Sequence, residues 1–340
     1  MNTSHRHAVA ALSGAGLLWG STVPLSRLAL DWLGPGWLTV ARFGLAAPVL
    51  LAVARPRLRP AFTPMVLASG AVGYGGSVIA QNAGIARTSV THAALLLGAL
   101  PVLVAVIAML WHHAVARPVA WVGFAVSLAG VGLVTVGGGG GATFGGDGLV
   151  LVSLLLSAVF TVAQARLLPG RDPIAVTAVQ FLGAALGALA FTLITEGGPA
   201  PPAGPGPVLA VGTLAAGGTL LPYTLFAYGQ SRVSAEIAGA FLNLEPIVGA
   251  AAGAVIFGDP MGPAQVTGGV AILAGIGLSS LPLIAGSRGR PPRVPPPQMT
   301  SHAVITEPEL PGRQLIYRGG TEASRSRRLF CSPCSGLWGT

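Results

Sequence analysis

The chain has 340 residues, 52% of them hydrophobic and only 9% charged, with a mean hydropathy of +0.72 and a net charge of +9. A water-soluble domain carries about 25% charged residues, so a polypeptide this poor in charge cannot cover an ordinary aqueous surface and must use lipid as part of its solvent. Its 19 basic residues are all arginine, and most lie in short loops and in the C-terminal stretch rather than on one folded face, which excludes a nucleic-acid-binding module.

Ten apolar segments follow one another, each long enough or nearly so to cross about 30 Å of hydrocarbon: Ala8–Leu30, Trp37–Ala54, Pro64–Ala86, Val90–Trp111, Pro118–Val136, Gly148–Leu168, Pro173–Thr195, Pro207–Tyr228, Ala235–Phe257 and Gly262–Ala285. They are too long for strands and lack a period of two, so the predicted fold class is all-α integral membrane. The first run follows His5, Arg6 and His7 and has no small-residue cleavage site ahead of a polar chain, so it reads as a retained signal anchor. Residues 137–147 form a Gly-rich linker between an N-terminal unit, 8–136, and a C-terminal unit, 148–285. The remaining stretch, 286–340, opens RGRPPRVPPP, cannot bury a core, and reads as a disordered cytoplasmic tail. Both cysteines, Cys331 and Cys334, fall there, so no disulfide framework supports the fold, and a lone CxxC implies neither metal nor cofactor.

The two units are copies of one another. Thr88–Ser127 aligns without a gap onto Val233–Ile272 at a constant offset of 145, pairing Pro101 with Pro246, Pro118 with Pro263, Gly123 with Gly268 and Gly130 with Gly275. Earlier in the copies the offset is 138, pairing Thr39 with Thr177, Phe43 with Phe181 and Ala47 with Ala185; the Pro-rich loop 197–207 absorbs the difference of 145 − 138 = 7 residues. Five segments per copy is an odd number, so the second copy enters the bilayer from the opposite side. Two inverted helical repeats are the architecture of carriers that alternate their access. Arginine placement sets the orientation: Arg6, Arg55, Arg57, Arg59, Arg117, Arg166, Arg171, Arg232 and the tail share one side, while Asp31, Asp147, Glu196 and Asp259 share the other. The positive-inside rule then places both termini in the cytoplasm, with Arg87 as the basic exception outside.

Glu245, followed by Pro246, lies near the centre of the ninth segment. A carboxylate at that depth costs about 2.5 kcal/mol or more on insertion scales, so it should face the bundle interior and bind a cationic group or a coupling proton, or pair with Arg42. Proline lacks the N–H that continues a helix, so Pro246 and its counterpart Pro101 are candidate helix breaks. Arg42 in the second segment either snorkels or serves as an anion anchor; its counterpart is Gln180. Trp19, at the head of Trp-Gly-Ser-Thr in the first segment, together with Tyr74, Gln81, Asn82, Tyr223, Tyr228 and Asn243, are candidate cavity liners, and each alone also suits an interhelical hydrogen bond. His92 reads as an interfacial histidine. Gly16–Gly20, Gly183–Gly187 and Gly249–Gly253 are GxxxG spacings that predict close helix crossings without specifying a dimer face.

The strings LLWGSTVPLSRLAL…ARFGLAA, LLLGALPVLVAVIAML…GFAVSLAGVGL and FLNLEPIVGAAAGAVIFGDP…GGVAILAGIGL resemble the helices of EamA-type members of the drug/metabolite transporter superfamily, over about residues 8–285. The resemblance implies ten helices in two inverted five-helix repeats and transport of small organic solutes, often efflux of amino acids or related metabolites. Two departures stand out: the acidic residue that follows the fourth helix of each repeat is Asp259 in the second copy but Ala114 in the first, and the Arg/Pro-rich tail lies outside the pattern. The expected function is therefore secondary transport in the plasma membrane, with a small-molecule solute and the lipid bilayer as partners and no cofactor, metal or nucleic acid. The chain has no lysine and so no phosphate-binding P-loop, nor does it carry an HExxH or GxSxG motif. An intramembrane enzyme acting on a lipid-like substrate, or a non-transporting scaffold, is the alternative. One chain suffices to enclose a pathway, and a dimer is compatible with it.

Overall fold

The structure, a computed structural model, describes residues 3–112, 118–137, 141–199, 201–202, 204–230, 241 and 244–287. The tail, Ala114 and Asn243, on which some expectations rest, lie outside them. Among the described residues every regular element is helical. In chain order the α-helices are α1 (Thr3–Gly20), α2 (Thr22–Ala29), α3 (Pro35–Ala54), α4 (Pro64–Gly70), α5 (Ser77–Ile85), α6 (Val90–Leu97), α7 (Leu100–His112), α8 (Pro118–Gly137), α9 (Phe144–Leu167), α10 (Pro173–Thr195), α11 (Pro205–Ala215), α12 (Leu221–Gln230), α13 (Leu244–Ile256) and α14 (Pro263–Ser287). Six helical stretches, Arg6–Ala29, Pro35–Arg57, Val90–Ala108, Phe144–Gln164, Pro173–Thr195 and Pro205–Phe226, are long and apolar enough to cross a membrane; Trp121–Val136 and Leu244–Ile256 are apolar but shorter. Large apolar side chains cover the exterior, with Ile194 and Val255 each 85% exposed. Such a surface is stable only against lipid.

Helix neighbours follow a rule set by the duplication. The second segment's α3 packs along the seventh's α10, the fifth's α8 along the tenth's α14, and the fourth's α6 against the ninth's α13. The first segment's α1 packs against α12 of the eighth, and the sixth's α9 against α5 of the third. Exchanging the two copies maps every one of these pairs onto itself or onto another, as a two-fold relation between repeats demands. Glycines permit the approach: a Cβ on Gly130 would stand 2.6 Å from the Gly268 carbonyl oxygen, and one on Gly275 2.5 Å from that of Gly123.

The loops gather at two ends. At one, Arg57 pairs with Asp172 at 3.3 Å and Arg171 Nε donates to the Pro60 carbonyl at 3.0 Å. At the other, Glu196 accepts from the backbone N–H of Gly36 at 2.7 Å at the start of α3, and Asp259 from that of Thr91 at 2.8 Å at the start of α6. Carboxylates at helix N-termini satisfy orphan N–H groups and oppose the positive end of the helix dipole.

Several helices depart from simple continuous spans. The first segment is interrupted at Ser21, because Pro24 offers no N–H to continue the ladder. The fourth breaks at Gly98–Ala99, and α7 restarts at Leu100 with Pro101 in its first turn, where a missing N–H is harmless. The third and eighth segments each contain a π-helical turn, Ala71–Gly76 and Ala216–Leu220. Their starts differ by 216 − 71 = 145, the repeat offset, so the irregularity was duplicated with the fold.

Two sequence expectations need correction. The glycine run predicts a linker over 137–147, but α8 runs through Gly137 and α9 begins at Phe144, with Thr143 Oγ1 accepting from Gly146 N at 3.0 Å as its cap. Asp147 is therefore not a loop carboxylate; it stands in the first turn of α9 and is 1% exposed. Glu245 stands in the first turn of α13 as described, beside Pro246, and most of the ninth segment ahead of Leu244 lies outside the described residues.

Candidate functional site: a charged, aromatic cavity between the repeats

A cavity of about 560 Å³ opens between the two copies, walled by α1, α2, α3, the Ala71–Gly76 turn, α5, α6, α7, α9, α12 and α13. Segments from both repeats thus enclose it, in the place where carriers built from inverted repeats hold their solute. Trp19, Arg42, Tyr74, Gln81, Tyr223 and Glu245, the binding or coupling candidates of the sequence analysis, line this one space, together with the candidate helix break Pro246.

Its aromatic wall is continuous. The Trp19 ring meets Tyr223 edge-on at 5.2 Å and Phe226 at 5.3 Å, Tyr74 meets Phe160 at 4.7 Å and Phe181 at 5.2 Å, and Phe181 meets Tyr223 at 5.6 Å. Edge-to-face contacts of this kind fix ring orientation and contribute about 0.5–1.5 kcal/mol each beyond burial. The wall is fixed and offers π-faces to whatever enters.

Arg42 leaves α3 toward the cavity rather than snorkelling to the interface. Its Nε donates to Thr219 Oγ1 at 2.7 Å and its Nη2 to the Gly218 carbonyl at 3.1 Å, with the guanidinium carbon 5.8 Å from the Phe43 ring centroid. Both acceptors belong to the second π turn. A π turn disturbs the regular i→i−4 ladder and leaves carbonyls for other donors. Gly218 corresponds at offset 145 to Gly73, whose carbonyl accepts from the Ser77 hydroxyl in the first copy. The residue corresponding to Ser77 is Pro222, which has no hydroxyl, and Arg42 takes its place as donor.

Gln180, the counterpart of Arg42, makes the reciprocal contact. Its Nε2 donates to Ser69 Oγ at 3.1 Å, on the helix leading into the first π turn, and to Gln164 Oε1 at 2.7 Å. Each second helix of a repeat therefore reaches to the third helix of the other, with a charge on one side only.

Glu245 and Arg42 line the same cavity and act on each other electrostatically. They do not close a salt bridge: the ion pairs among the described residues are Arg57–Asp172 and His92–Asp147. Among the described residues the site therefore presents one cation and one carboxylate in a single cavity, each half-buried.

Asn82 is placed elsewhere. It is 1% exposed, and its Nδ2 donates to Thr39 Oγ1 at 3.1 Å, tying α5 to α3. Tyr228, 40% exposed, does not line the cavity. His92 is not interfacial; it is 1% exposed and paired with Asp147. Sequence reasoning missed Phe160, Gln164 and Phe226 on the cavity wall and Thr219 behind Arg42. One signal for Thr219 was in hand: 219 − 145 = 74, so it is the repeat counterpart of Tyr74.

Two repeats of a multi-pass helical bundle thus share one charged cavity. The profile of the EamA-like transporter family matches residues 7–136 and 144–281, and the chain belongs to that family. It is 26% identical over 284 residues to a protein of Streptantibioticus cattleyicolor described as a "Probable terminal-alkyne amino-acid exporter", covering 79% of this chain and 92% of that one. A solved crystal structure covers 82% of this chain and 98% of its own at 20% identity with a TM-score of 0.59, which supports the fold. The protein is a membrane-embedded transporter of small solutes, built from two EamA repeats.

Proposed function

We propose that this protein exports small organic solutes, amino acids or related metabolites, across the plasma membrane by alternating access. The observation that carries this reading is the pair of opposite charges, Arg42 and Glu245, left apart in one aromatic cavity between the repeats. A solute with an amino group and a carboxylate would offer a charge to each, while its apolar part meets Trp19, Tyr74 and Tyr223. The drive is a solute or proton gradient. Gln81 and Gln164 supply neutral polar contacts in the same space. In this reading ten membrane-spanning helices form two inverted five-helix repeats, 8–136 and 148–285, with both termini cytoplasmic. The contact of Arg171 with Pro60 supports the inversion, since it brings the loop after the second segment to the same end as the loop after the sixth.

Two measurements test it. Purified protein in liposomes should carry radiolabelled neutral amino acids in a saturable manner; flux no higher than in empty liposomes across the amino-acid panel would sink the solute assignment. In a background with Cys331 and Cys334 replaced by serine, single cysteines at Arg59 and Arg171 should both react with an impermeant maleimide from the cytoplasmic side only. Labelling from opposite sides would overturn the inverted topology.

A further inference from the structure

Arg42 lines the cavity, but the hydroxyl that holds it does not. Thr219 is 0% exposed and belongs to the second π turn, behind the cavity wall. Its single hydroxyl hydrogen goes to the Leu214 carbonyl at 3.2 Å, five residues back, so the lone pairs of Oγ1 are left to accept from Arg42 Nε at 2.7 Å. A partner five residues back is the spacing of a π turn and not of an α-helix. The turn therefore fixes the hydroxyl, and the hydroxyl fixes the guanidinium.

A guanidinium can grip a carboxylate with a pair of parallel N–H groups along its side edge, Nε with Nη2, or along its end edge, Nη1 with Nη2. In Arg42 the side edge is taken, Nε by Thr219 and Nη2 by the Gly218 carbonyl at 3.1 Å. Nη1 donates to no group among the described residues, and Nη2 keeps a second hydrogen. The end edge is the one left for a ligand.

Comparison of the repeats ties this hydroxyl to the charge. At offset 145 Leu214 corresponds to Ser69 and Thr219 to Tyr74. In the first copy the hydroxyl stands at the earlier place: Ser69 gives its hydrogen to the Val66 carbonyl at 2.7 Å and accepts from Gln180, the neutral counterpart of Arg42. In the second copy it stands five residues later and accepts from the cation. Tyr74, at the place of Thr219, faces the cavity as part of the aromatic wall.

We propose that Thr219 is a positioning residue for carboxylate recognition: it holds the side edge of Arg42 so that the end edge meets the carboxylate of the transported solute, whose amino group then lies toward Glu245. The proposal rests on the amino-acid reading above and adds to it the orientation of the solute and a determinant of specificity that the solute never touches. Without the hydroxyl the guanidinium keeps one anchor, the Gly218 carbonyl, and turns about it. The parallel pair is then lost, and a carboxylate meets a loosely held charge. A carboxamide has one acceptor oxygen and no charge, so it gains little from the pair and loses little with it.

The test measures, in liposomes, how well a neutral amino acid and its carboxamide each inhibit flux of the radiolabelled amino acid. In the wild-type chain the half-inhibitory concentration of the carboxamide should exceed that of the amino acid by about tenfold or more, since charge-assisted hydrogen bonds separate the two ligands. Thr219→Val should raise the amino acid's value about tenfold and the carboxamide's by less than about twofold, so that their ratio collapses. Thr219→Ser, which keeps the hydroxyl, should keep the wild-type ratio. A merely structural role would move both values together and leave the ratio alone. An unchanged ratio in Thr219→Val, a ratio lost equally in Thr219→Ser, or a wild-type chain that does not distinguish the two ligands overturns the proposal. Added to Arg42→Gln, Thr219→Val should change the ratio no further; a further change also overturns it, because the hydroxyl would then act apart from the guanidinium. Should Thr219→Val fail to fold, Thr219→Ala is held to the same outcomes. A wild-type chain that carries no amino acid overturns the solute assignment itself, which is a different failure.

Discussion

Glu245→Gln is expected to lower the saturable flux of the reconstituted protein by about 10–100-fold, with yield and size-exclusion profile unchanged. The magnitude follows from the chemistry lost: a hydrogen bond to a charged group contributes about 1.5–3 kcal/mol, and each 1.4 kcal/mol is tenfold. The carboxylate stands in the first turn of α13, lines the cavity and makes no salt bridge among the described residues, so the expected loss is in flux rather than in folding. Arg42 differs. Arg42→Gln should lower flux by a similar factor, and Arg42→Lys should restore little of it, because Nε and Nη2 make two separately directed bonds, to Thr219 and to the Gly218 carbonyl, that one ammonium cannot reproduce. If both charges grip one solute, a ligand lacking its amino group loses sensitivity to Glu245→Gln and keeps sensitivity to Arg42→Gln. Undiminished flux in Glu245→Gln removes that residue from the mechanism.

The parts of this protein that were legible in its sequence are those carried by long patterns. Duplication at offset 145 announced the repeats, and composition announced the membrane. Charge at bilayer depth pointed to Glu245 and Arg42, since an intramembrane ionisable residue rarely faces lipid. What stayed hidden depends on which helix faces which. Asn82 and Gln81 are neighbours on one helix, yet one bonds Thr39 on α3 and the other faces the cavity. No periodicity in α5 distinguishes them, because both faces of that helix meet protein. The burial of His92 is hidden for the same reason: its partner Asp147 is 55 residues away, in a glycine-rich stretch that is the capped start of a helix. The π turns had no local signature beyond glycine, in a chain with 50 of them.

Those glycines fall into two physical classes, and a pair of alanine substitutions separates them. Gly183 on α10 and Gly70 at the end of α4 face each other across a crossing so close that a Cβ on Gly183 would overlap the Leu67 carbonyl, and one on Gly70 the Gln180 backbone. The two helices cannot move apart to make room. Gln180 is bonded to Ser69 and Gln164, and the Phe181 ring is locked between Phe43, Tyr74 and Tyr223. Overpacking a rigid contact costs about 1–3 kcal/mol, occasionally more. At about 2–4 °C per kcal/mol for a chain of this class, Gly183→Ala should lower the midpoint of thermal unfolding in detergent by roughly 3–10 °C. Gly44 on α3 has nothing within 4 Å of its absent Cβ. There the substitution removes only backbone freedom, worth about 0.5–1 kcal/mol in favour of alanine, so Gly44→Ala should raise the midpoint slightly. Opposite signs for one chemical change, read by scanning fluorimetry, would show that the crossing and not helix propensity decides the outcome. A Gly183→Ala protein as stable as the parent would mean that α4 and α10 do not approach as closely as described, and the placement of Tyr74 and Arg42 around the cavity would fall with it.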